Sequence, residues 1–222
     1  MPTMKQIKSK ITKDGDLEVS LVELDVPVPE GNRILIHMEA APINPSDMGP
    51  LFGPANIAEA HLDTKSGSPV LKAKVPMDRI PALAPRLDQE MNVGNEGAGI
   101  VVEAGPDPEA QALIGRTVAI LNGRAYAQFA NVPANKCLVM NEGTTPKQAA
   151  ACFVNPLTAL GMVETMKHEN HTALVHTAAA SNLGQMLNRI CIADNVPLVN
   201  IVRKPEQEKL LADQDAKHIC DS

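Results

Sequence analysis

The stretch that decides the fold is Ala173-Leu-Val-His-Thr-Ala-Ala-Ala-Ser-Asn-Leu-Gly-Gln-Met-Leu187. Its first residues predict a strand at 172–177, the small residues that follow predict a tight turn, and a helix is predicted at 183–194. The neighbouring elements are predicted as a helix at 157–167, a strand at 198–202, a helix at 205–213 and a strand at 218–220. This β-α-β-α-β order predicts an α/β domain with a parallel sheet and right-handed crossovers.

The turn has one glycine where a dinucleotide-binding turn normally has three. In that motif the first glycine makes the bend, the second lets the backbone approach the pyrophosphate, and the third lets helix and strand pack closely. Counting back from Gly184 puts Ala179 and Ser181 at the first two places. Small residues still permit approach, and the N–H groups at the helix start remain available for phosphate. Simple packing of a strand on a helix is the alternative explanation of the same residues.

The end of the next strand carries Asn200-Ile-Val-Arg203-Lys204, with two cations and no carboxylate. An acid at this place would bind the ribose hydroxyls of NAD, whereas cations favour a 2′-phosphate. The pattern therefore favours NADPH over NADH, unless Arg203 and Lys204 are ordinary surface residues.

The first 150 residues are predicted to be rich in β-structure. Short alternating or β-branched runs at 17–24, 33–40, 99–104 and 117–121, separated by Gly and Pro, predict an irregular barrel. Residues 54–90 contain five prolines and predict a long loop with a hairpin or a short helical turn, either a lid or a disordered segment. A capping box at Thr145-Pro-Lys-Gln148 predicts the start of a helix.

Composition narrows the class of partner. The formal charge is −6, Lys and Arg are scattered, and aromatic residues are 2% of the chain, so nucleic acid is not expected. The four cysteines form no C-x-x-C pair, and a solvated turn is favoured over a metal site for His168 and His171. No signal segment and no uncharged apolar run of about 18 residues is found, so we expect a soluble, cytoplasmic protein without a membrane partner.

Several motifs together resemble the medium-chain dehydrogenases/reductases, in particular the zinc-independent quinone oxidoreductases and enoyl thioester reductases. They are Ala40-Ala-Pro-Ile-Asn-Pro-Ser-Asp47, Gly94-Asn-Glu-Gly-Ala-Gly99, Val154-Asn-Pro-Leu-Thr-Ala159, the turn at 178–184 and Asn200-Ile-Val-Arg203. The resemblance implies a GroES-like β-barrel catalytic domain at 1–150 with an insertion at 54–90. It implies a Rossmann NADP-binding domain from 151, of which 151–222 would be a truncated first part of a doubly wound sheet. It also implies a possible homodimer.

The resemblance bears on zinc through three positions. Relatives that use catalytic zinc hold it with Cys, His and a later Cys or Asp, whereas the matching places here are Asn44, Asn95 and Asn155. Three amides do not replace thiolate and imidazole around Zn²⁺. We therefore expect no metal. The alternative role of Asn44, Asn95 and Asn155, above all of Asn95, is to form hydrogen bonds with the backbone.

The implied activity is hydride transfer from NADPH to a small molecule, a quinone or an activated enone. One alternative is a 2-enoyl thioester reductase, but the catalytic tyrosine of that branch falls at Ala55 here, and Tyr126 resembles a packing position. Another alternative is a non-catalytic NADPH-binding protein.

The resemblance also implies roles for single residues. Asn44, Asn155 and Thr158 would lie near the nicotinamide and its ribose. The pyrophosphate would be bound by Ser181, Asn182, Leu183 and Gly184, and the 2′-phosphate by Arg203 and Lys204. Asp47 is a candidate for an acid role at the substrate; its alternative role is to form a turn or cap.

Overall fold

The chain divides into two compact units, Met1–Ala151 and Cys152–Ser222. The computed structural model describes residues 2–64 and 67–222. The sequence predicted a division between residues 150 and 151. The roles predicted for the two parts are taken up below as proposals.

The described part of the first unit contains ten strands in two antiparallel sheets. They are β1 Thr3–Ile11, β2 Asp16–Asp25, β3 Arg33–Ala40, β4 His61–Asp63, β5 Val70–Lys74, β6 Met91–Asn92, β7 Glu96–Ala104, β8 Thr117–Leu121, β9 Phe129–Pro133 and β10 Cys137–Val139. One sheet has the order β4-β5-β2-β1-β6 and the other β10-β8-β7-β3-β9. The N–H of Ile7 donates to the carbonyl oxygen of Tyr126 over 2.9 Å, so β1 also contacts the segment between β8 and β9. The predicted strands at 33–40 and 117–121 have the observed bounds.

Short helices connect these strands. They are α1 Met48–Phe52, α2 Pro108–Gln111 and α3 Pro146–Ala149, with 3-10 turns at Pro45–Asp47, Ile57–Glu59, Met77–Arg86 and Ala134–Lys136. The predicted capping box is confirmed, because the Thr145 hydroxyl accepts the Gln148 N–H at the start of α3. The core beside them is aliphatic and includes the fully buried Ile34, Ile36 and Ile120.

Residues 54–90 form a hairpin followed by a 3-10 segment, as predicted, although residues 65 and 66 lie outside the described residues. Strand β5 pairs with β2 from Asp16↔Lys74 to Ser20↔Val70, so the hairpin extends the first sheet. The 3-10 segment continues through two prolines, Pro81 and Pro85. This part of the chain is therefore held by sheet hydrogen bonds along β5.

The second unit is an α/β unit with a parallel sheet, as predicted. Its elements are α4 Val154–His168, β11 Leu174–His176, α5 Asn182–Ala193, β12 Leu198–Val202, α6 Pro205–Ala212 and β13 His218–Asp221. The sheet has the order β11-β12-β13 with both pairs parallel. Helix α4 begins three residues earlier than predicted, because Pro156 lies in its first turn, where no N–H is needed for a helical hydrogen bond. Ala159, Val163 and Leu187 bury the contact between α4 and α5.

One stretch could be considered as a membrane span by length and composition alone. Residues Pro146–His168 include an 18-residue window with a mean hydropathy of 1.2 and no more than two charges. The stretch contains Lys147, Glu164 and Lys167, so it differs from the uncharged apolar run that a membrane span was expected to show. A single candidate of this kind is weak evidence, since core helices of soluble proteins pass the same test, and the chain leaves helical geometry between α3 and α4.

Candidate functional site

The turn between β11 and α5 is built without left-handed backbone. Among the described residues, none from 177 to 184 has a positive φ. Ser181 is the N-cap of α5, and its hydroxyl oxygen accepts the Gly184 N–H over 3.1 Å. Because right-handed and extended conformations suit any residue, Ala179 and Ser181 can stand where glycines are usual.

Gly184 is the one position in this turn that requires glycine. A Cβ atom there would lie 2.3 Å from the Ala179 carbonyl oxygen and 2.7 Å from that of Ala178. Both atoms are backbone, so neither could move aside alone. The predicted role of Gly184, close packing of helix against turn, matches this geometry.

A cleft of about 300 Å³ joins the turn to the end of β12. Its lining residues are Thr177, Ala178, Ala179, Ala180, Ser181, Ile201, Val202, Arg203, Lys204 and Gln207. None of these ten described residues is an acid, and Arg203 and Lys204 are both exposed. The Gln207 side-chain oxygen accepts the Arg203 N–H over 3.0 Å, which fixes the backbone at the start of the cationic pair. The cleft can therefore hold an anion.

Asn182 and Leu183 form the first two positions of α5, directly after the N-cap. At these positions a helix offers N–H groups that have no intrahelical acceptor. Their direction and the partial positive charge of the helix start both favour an anionic group. These backbone donors directly follow Ser181, which lines the cleft.

His176 ends β11 just before the turn and is half-buried. Burial lowers the pKa of its imidazole, and within the described chain its Nδ1 atom has no hydrogen-bond partner. The side chain is thus neutral at pH 7 and adds no charge next to the turn.

In the first unit, Asp47 binds two backbone segments at once. Its side chain is 1% exposed, and its two oxygens accept the N–H groups of Asn44 and Asn95, each over 2.8 Å. The Asp47 N–H in turn donates to the Asn44 carbonyl over 2.9 Å. This geometry fits the alternative role of Asp47, a turn-former, better than an acid that reaches substrate.

Glu96 is a second buried acid in the same place, and the sequence analysis did not single it out. It is 1% exposed, and one of its oxygens accepts the Asn44 side-chain amide over 2.8 Å. Asn95 donates its own side-chain amide to the Ser46 hydroxyl over 3.0 Å. A sequence signal was available, since Glu96 lies inside the quoted motif Gly94-Asn-Glu-Gly-Ala-Gly99; the strand was predicted only from 99 and begins at Glu96 in the structure.

Tyr126 completes this cluster. Its hydroxyl donates to the Pro42 carbonyl over 2.9 Å, and burial together with the charges of Asp47 and Glu96 raises the pKa of the phenol well above its usual range. Gly94 has a φ of +92°, and a Cβ atom on it would lie 2.6 Å from the Tyr126 ring. Tyr126 also lines a mainly aliphatic cleft of about 430 Å³ in the first unit, together with residues that include Met38 and Ile43.

The predicted site residues thus lie in three places. Asn44, Asp47 and Asn95 are joined by hydrogen bonds in the first unit. In the second unit the turn and cleft hold Ser181, Asn182, Leu183, Gly184, Arg203 and Lys204. Asn155 and Thr158 lie early in α4, where the Thr158 hydroxyl donates to the Val154 carbonyl over 2.6 Å.

No metal-binding group is found in the part of the chain that the structure describes: no three His, Cys, Asp or Glu side chains come together suitably. His171 lies 3.3 Å from Glu169, with both side chains exposed, as expected of a solvated turn. That the protein works without zinc remains a prediction from its amides at positions 44, 95 and 155.

Sequence comparison finds similarity between this chain and two kinds of enzyme. No protein-family model matches it. A "Probable quinone oxidoreductase" of Schizosaccharomyces pombe is 30% identical over 130 residues, covering 57% of this chain and 39% of that protein. The mitochondrial enoyl-[acyl-carrier-protein] reductase of Mus musculus is 27% identical over 199 residues, covering 86% of this chain and 45% of that protein.

Structure comparison covers the chain more completely. A Mesorhizobium loti protein assigned as an NADPH:quinone reductase has a TM-score of 0.67 and 26% identity, covering 99% of this chain and 60% of that one. A mycobacterial protein whose structure was solved with NADPH has a TM-score of 0.67 and 22% identity, covering 98% of this chain and 58% of that one. The chain spans less than half the length of its two curated relatives. In sequence and fold it is similar to the quinone oxidoreductases and enoyl reductases of the medium-chain dehydrogenase/reductase family, as its motifs predicted.

Proposed function

We propose that the protein is an oxidoreductase that transfers hydride from NADPH to a small quinone or activated enone, without zinc. The observation that carries the proposal is the cleft of about 300 Å³ in which a small-residue turn meets Arg203 and Lys204 without an acid. The proposal includes the finer fold assignment, a GroES-like barrel in the first unit and a Rossmann NADP-binding unit in the second. We also propose a cytoplasmic location and a homodimer, which the family resemblance implies.

The residues of the second unit fit NADPH. The N–H groups of Asn182 and Leu183 would bind the pyrophosphate, and Gly184 keeps the helix close enough to the turn for this. Arg203 and Lys204 would bind the 2′-phosphate, whose charge an acid at this place would repel. A cleft of about 300 Å³ suits part of a dinucleotide, at the lower end of small-molecule sites. NADPH, when bound, supplies the hydride.

The class of hydride acceptor is inferred from the amide side chains that stand where zinc-dependent relatives carry their zinc ligands. Without a Lewis acid, reduction is easiest where the acceptor itself can take up the negative charge, as a quinone or enone does. The Asn44 side chain already donates to Glu96, and Asp47 holds both Asn44 and Asn95 in place. The aliphatic cleft beside Tyr126 offers apolar walls that suit a flat, weakly polar ring.

A second candidate function is reduction of a 2-enoyl thioester. The match to the mouse enoyl reductase covers 86% of this chain, against 57% for the fission-yeast quinone oxidoreductase. Ala55 stands where that branch carries its catalytic tyrosine, so this candidate lacks its proton donor. The third possibility, NADPH binding without catalysis, has the same cofactor cleft and differs only in the absence of turnover.

The cofactor is tested by fluorescence titration of NADPH and NADH, for the chain and for Arg203→Ala. We expect the chain to prefer NADPH and the variant to bind it about tenfold more weakly, since a hydrogen bond to a charged group contributes about 1.5–3 kcal/mol. NADH affinity should stay the same. Arg189→Ala is the matched control, because Arg189 is an exposed arginine on α5 outside the cleft.

The reaction is tested by following NADPH oxidation with a benzoquinone, with a 2-enone and with an enoyl thioester. Turnover of quinone or enone but not thioester supports the first candidate, and the reverse supports the second. NADPH binding without any turnover identifies the third. If neither dinucleotide binds, the proposed function is wrong.

A further inference from the structure

Four amide side chains form a series of hydrogen bonds that leads to the turn between β11 and α5. Asn200 on β12 and Asn188 on α5 are 1% and 2% exposed, and Gln185 on α5 and Gln214 after α6 are half-buried. We call these four residues the amide chain. None of them was singled out by the sequence analysis for its side chain.

The hydrogen bonds of the amide chain all run in one direction. Asn200 donates to the Asn188 side-chain oxygen over 3.4 Å, and Asn188 donates to the Gln214 backbone carbonyl over 3.2 Å. Gln214 then donates its side-chain amide to the Gln185 side-chain oxygen over 2.8 Å. Gln185 donates last, to the carbonyl of Ala180 over 3.1 Å. The chain thus starts inside the sheet and ends on the turn.

The last bond fixes the peptide between Ala180 and Ser181. The Ala180 carbonyl is held by Gln185, while the Ser181 N–H on the same peptide donates to the Ala178 carbonyl over 2.9 Å. Since the peptide is planar, two bonds at its two ends leave it little freedom to rotate. The peptides that follow, which carry the N–H groups of Asn182 and Leu183, therefore start from a peptide of fixed orientation.

Packing alone does not explain four amides here. Apolar residues of similar size would avoid the cost of burying polar groups beside the aliphatic contact of α5 with the sheet. Within the described residues, the side-chain oxygens of Asn200 and Gln214 have no hydrogen-bond partner, so the chain is not fully compensated. What it adds beyond packing is a defined direction for the Ala180 carbonyl.

We propose that the amide chain is a positioning device for the dinucleotide, with Gln185 as the residue that acts on the turn. The amide chain would hold the backbone of a turn that has a single glycine in one conformation. The proposal rests on the proposed NADPH binding, and it goes beyond it by assigning a function to side chains outside the cleft. It concerns the pyrophosphate, so NADPH and NADH should be affected alike.

Two variants test it in the 222-residue chain. Gln185→Met keeps the length of the side chain and removes the donor to Ala180. Gln214→Glu keeps the shape but cannot donate when ionised, so Gln185 must turn its NH₂ towards residue 214 and its oxygen towards the Ala180 carbonyl. The matched control is Gln111→Met, because Gln111 also donates to backbone carbonyls, of Ala104 and Gly105, but in the first unit.

Two measurements are made on each variant. The first is amide hydrogen exchange of residues 177–187 without cofactor, which we expect to accelerate about tenfold for both variants and not for the control. The second is the dissociation constant for NADPH and for NADH, which should rise about tenfold for both dinucleotides, leaving their ratio unchanged, in contrast to Arg203→Ala.

Each result has one meaning. Unchanged exchange in residues 177–187 for both variants overturns the proposal, whether or not a dinucleotide binds. Faster exchange with unchanged dissociation constants also overturns it, since the chain would then be structural only. If the unsubstituted chain binds neither dinucleotide while exchange responds as expected, the proposed function fails, and with it the role for a dinucleotide, but the control of the turn stands.

Discussion

Two turns carry the predicted site residues, and they satisfy their backbone donors in opposite ways. In the first unit the Asp47 carboxylate accepts the N–H groups of Asn44 and Asn95. In the second unit the Ser181 hydroxyl accepts only the Gly184 N–H, and the cleft beside it contains no acid among its described residues. The first turn contains its own anion, whereas the second offers donors and cations to an anion from outside.

This difference supports our proposal that the first motif is structural and that the second binds a ligand. Both turns lie in stretches that resemble the same family, and both are rich in groups that chemistry could use. A turn whose donors are already taken by a buried carboxylate has little left for a ligand. At the second turn, a Cβ on residue 184 would strike the Ala179 carbonyl, so the glycine there keeps helix α5 close to the turn.

The largest effect is expected from Asp47→Ala, which removes the internal anion of the first turn. One buried and one partly buried N–H group would lose their acceptor, at about 1–3 kcal/mol each, so the first unit should lose about 2–6 kcal/mol of its free energy of unfolding. Urea unfolding followed by tyrosine fluorescence measures this directly, since the chain has one tyrosine, Tyr126, and no tryptophan.

Asp16→Ala is the control for Asp47→Ala. Asp16 pairs with Lys74 over 2.6 Å at the surface, where an ion pair contributes less than about 1 kcal/mol. Equal losses for the two variants would contradict the comparison of the turns. A loss of activity from Asp47→Ala without a loss of stability would return Asp47 to the acid role at the substrate.

Gly184→Ala should have the next largest effect, because it puts a methyl group 2.3 Å from the Ala179 carbonyl oxygen. We expect a loss of about 2–3 kcal/mol in the second unit, measured by urea unfolding with far-UV circular dichroism. NADPH affinity should fall with it, because the helix start is pushed away from the turn.

Gly161→Ala is the matched control, since no atom lies within 4 Å of the position a Cβ would take in α4. Replacing glycine by alanine in an open helix position stabilises by about 0.5–1 kcal/mol. Opposite signs for the two glycines are therefore expected. A tolerated Gly184→Ala would mean that the turn can widen, and the single-glycine explanation would be wrong.

The smallest effect is expected from Tyr126→Phe, about 1 kcal/mol at pH 7 for the hydrogen bond to Pro42. The pH dependence of this difference in the free energy of unfolding is more informative than its size at pH 7. The pKa of the Tyr126 phenol is raised in the folded state, so its contribution is complete below the unfolded pKa of about 10 and is lost as the pH rises above it.

The measurement is urea unfolding by circular dichroism at pH 8 and above pH 10. The gap in stability between the unsubstituted chain and Tyr126→Phe should narrow or reverse as the pH rises, since only the unsubstituted chain must then keep a phenol neutral beside Asp47 and Glu96. A gap that does not change with pH would show that the carboxylates do not act on the phenol.

Much of the second unit could be predicted from sequence because its order is local. Strand Leu198–Val202 has its predicted bounds, and the parallel pairing followed from the alternation of elements. The position of Gly184 followed from a motif in which close packing of helix and strand leaves no room for a Cβ atom. These features depend on residues close together in the chain, where periodicity and capping act.

The first unit was harder because its contacts are distant in sequence. Strand Thr3–Ile11 was not predicted, although it pairs along its whole length with β2. Glu96 accepts from Asn44, 52 positions away, and Tyr126 donates to Pro42, 84 positions away. The amide chain of the second unit was missed because only the packing of α5 against β12 brings Asn188 to Asn200.

The absence of left-handed backbone in the turn at 177–184, all of it within the described residues, bears on how such turns are recognised. A search pattern with three glycines assumes left-handed backbone conformations, and this turn has none. The measurable requirement is clearance at a single site, the one where a Cβ would strike the carbonyl of the residue five positions earlier. Sequences that have drifted at the other two sites can keep the same shape, and a pattern with one fixed glycine and small neighbours would find them.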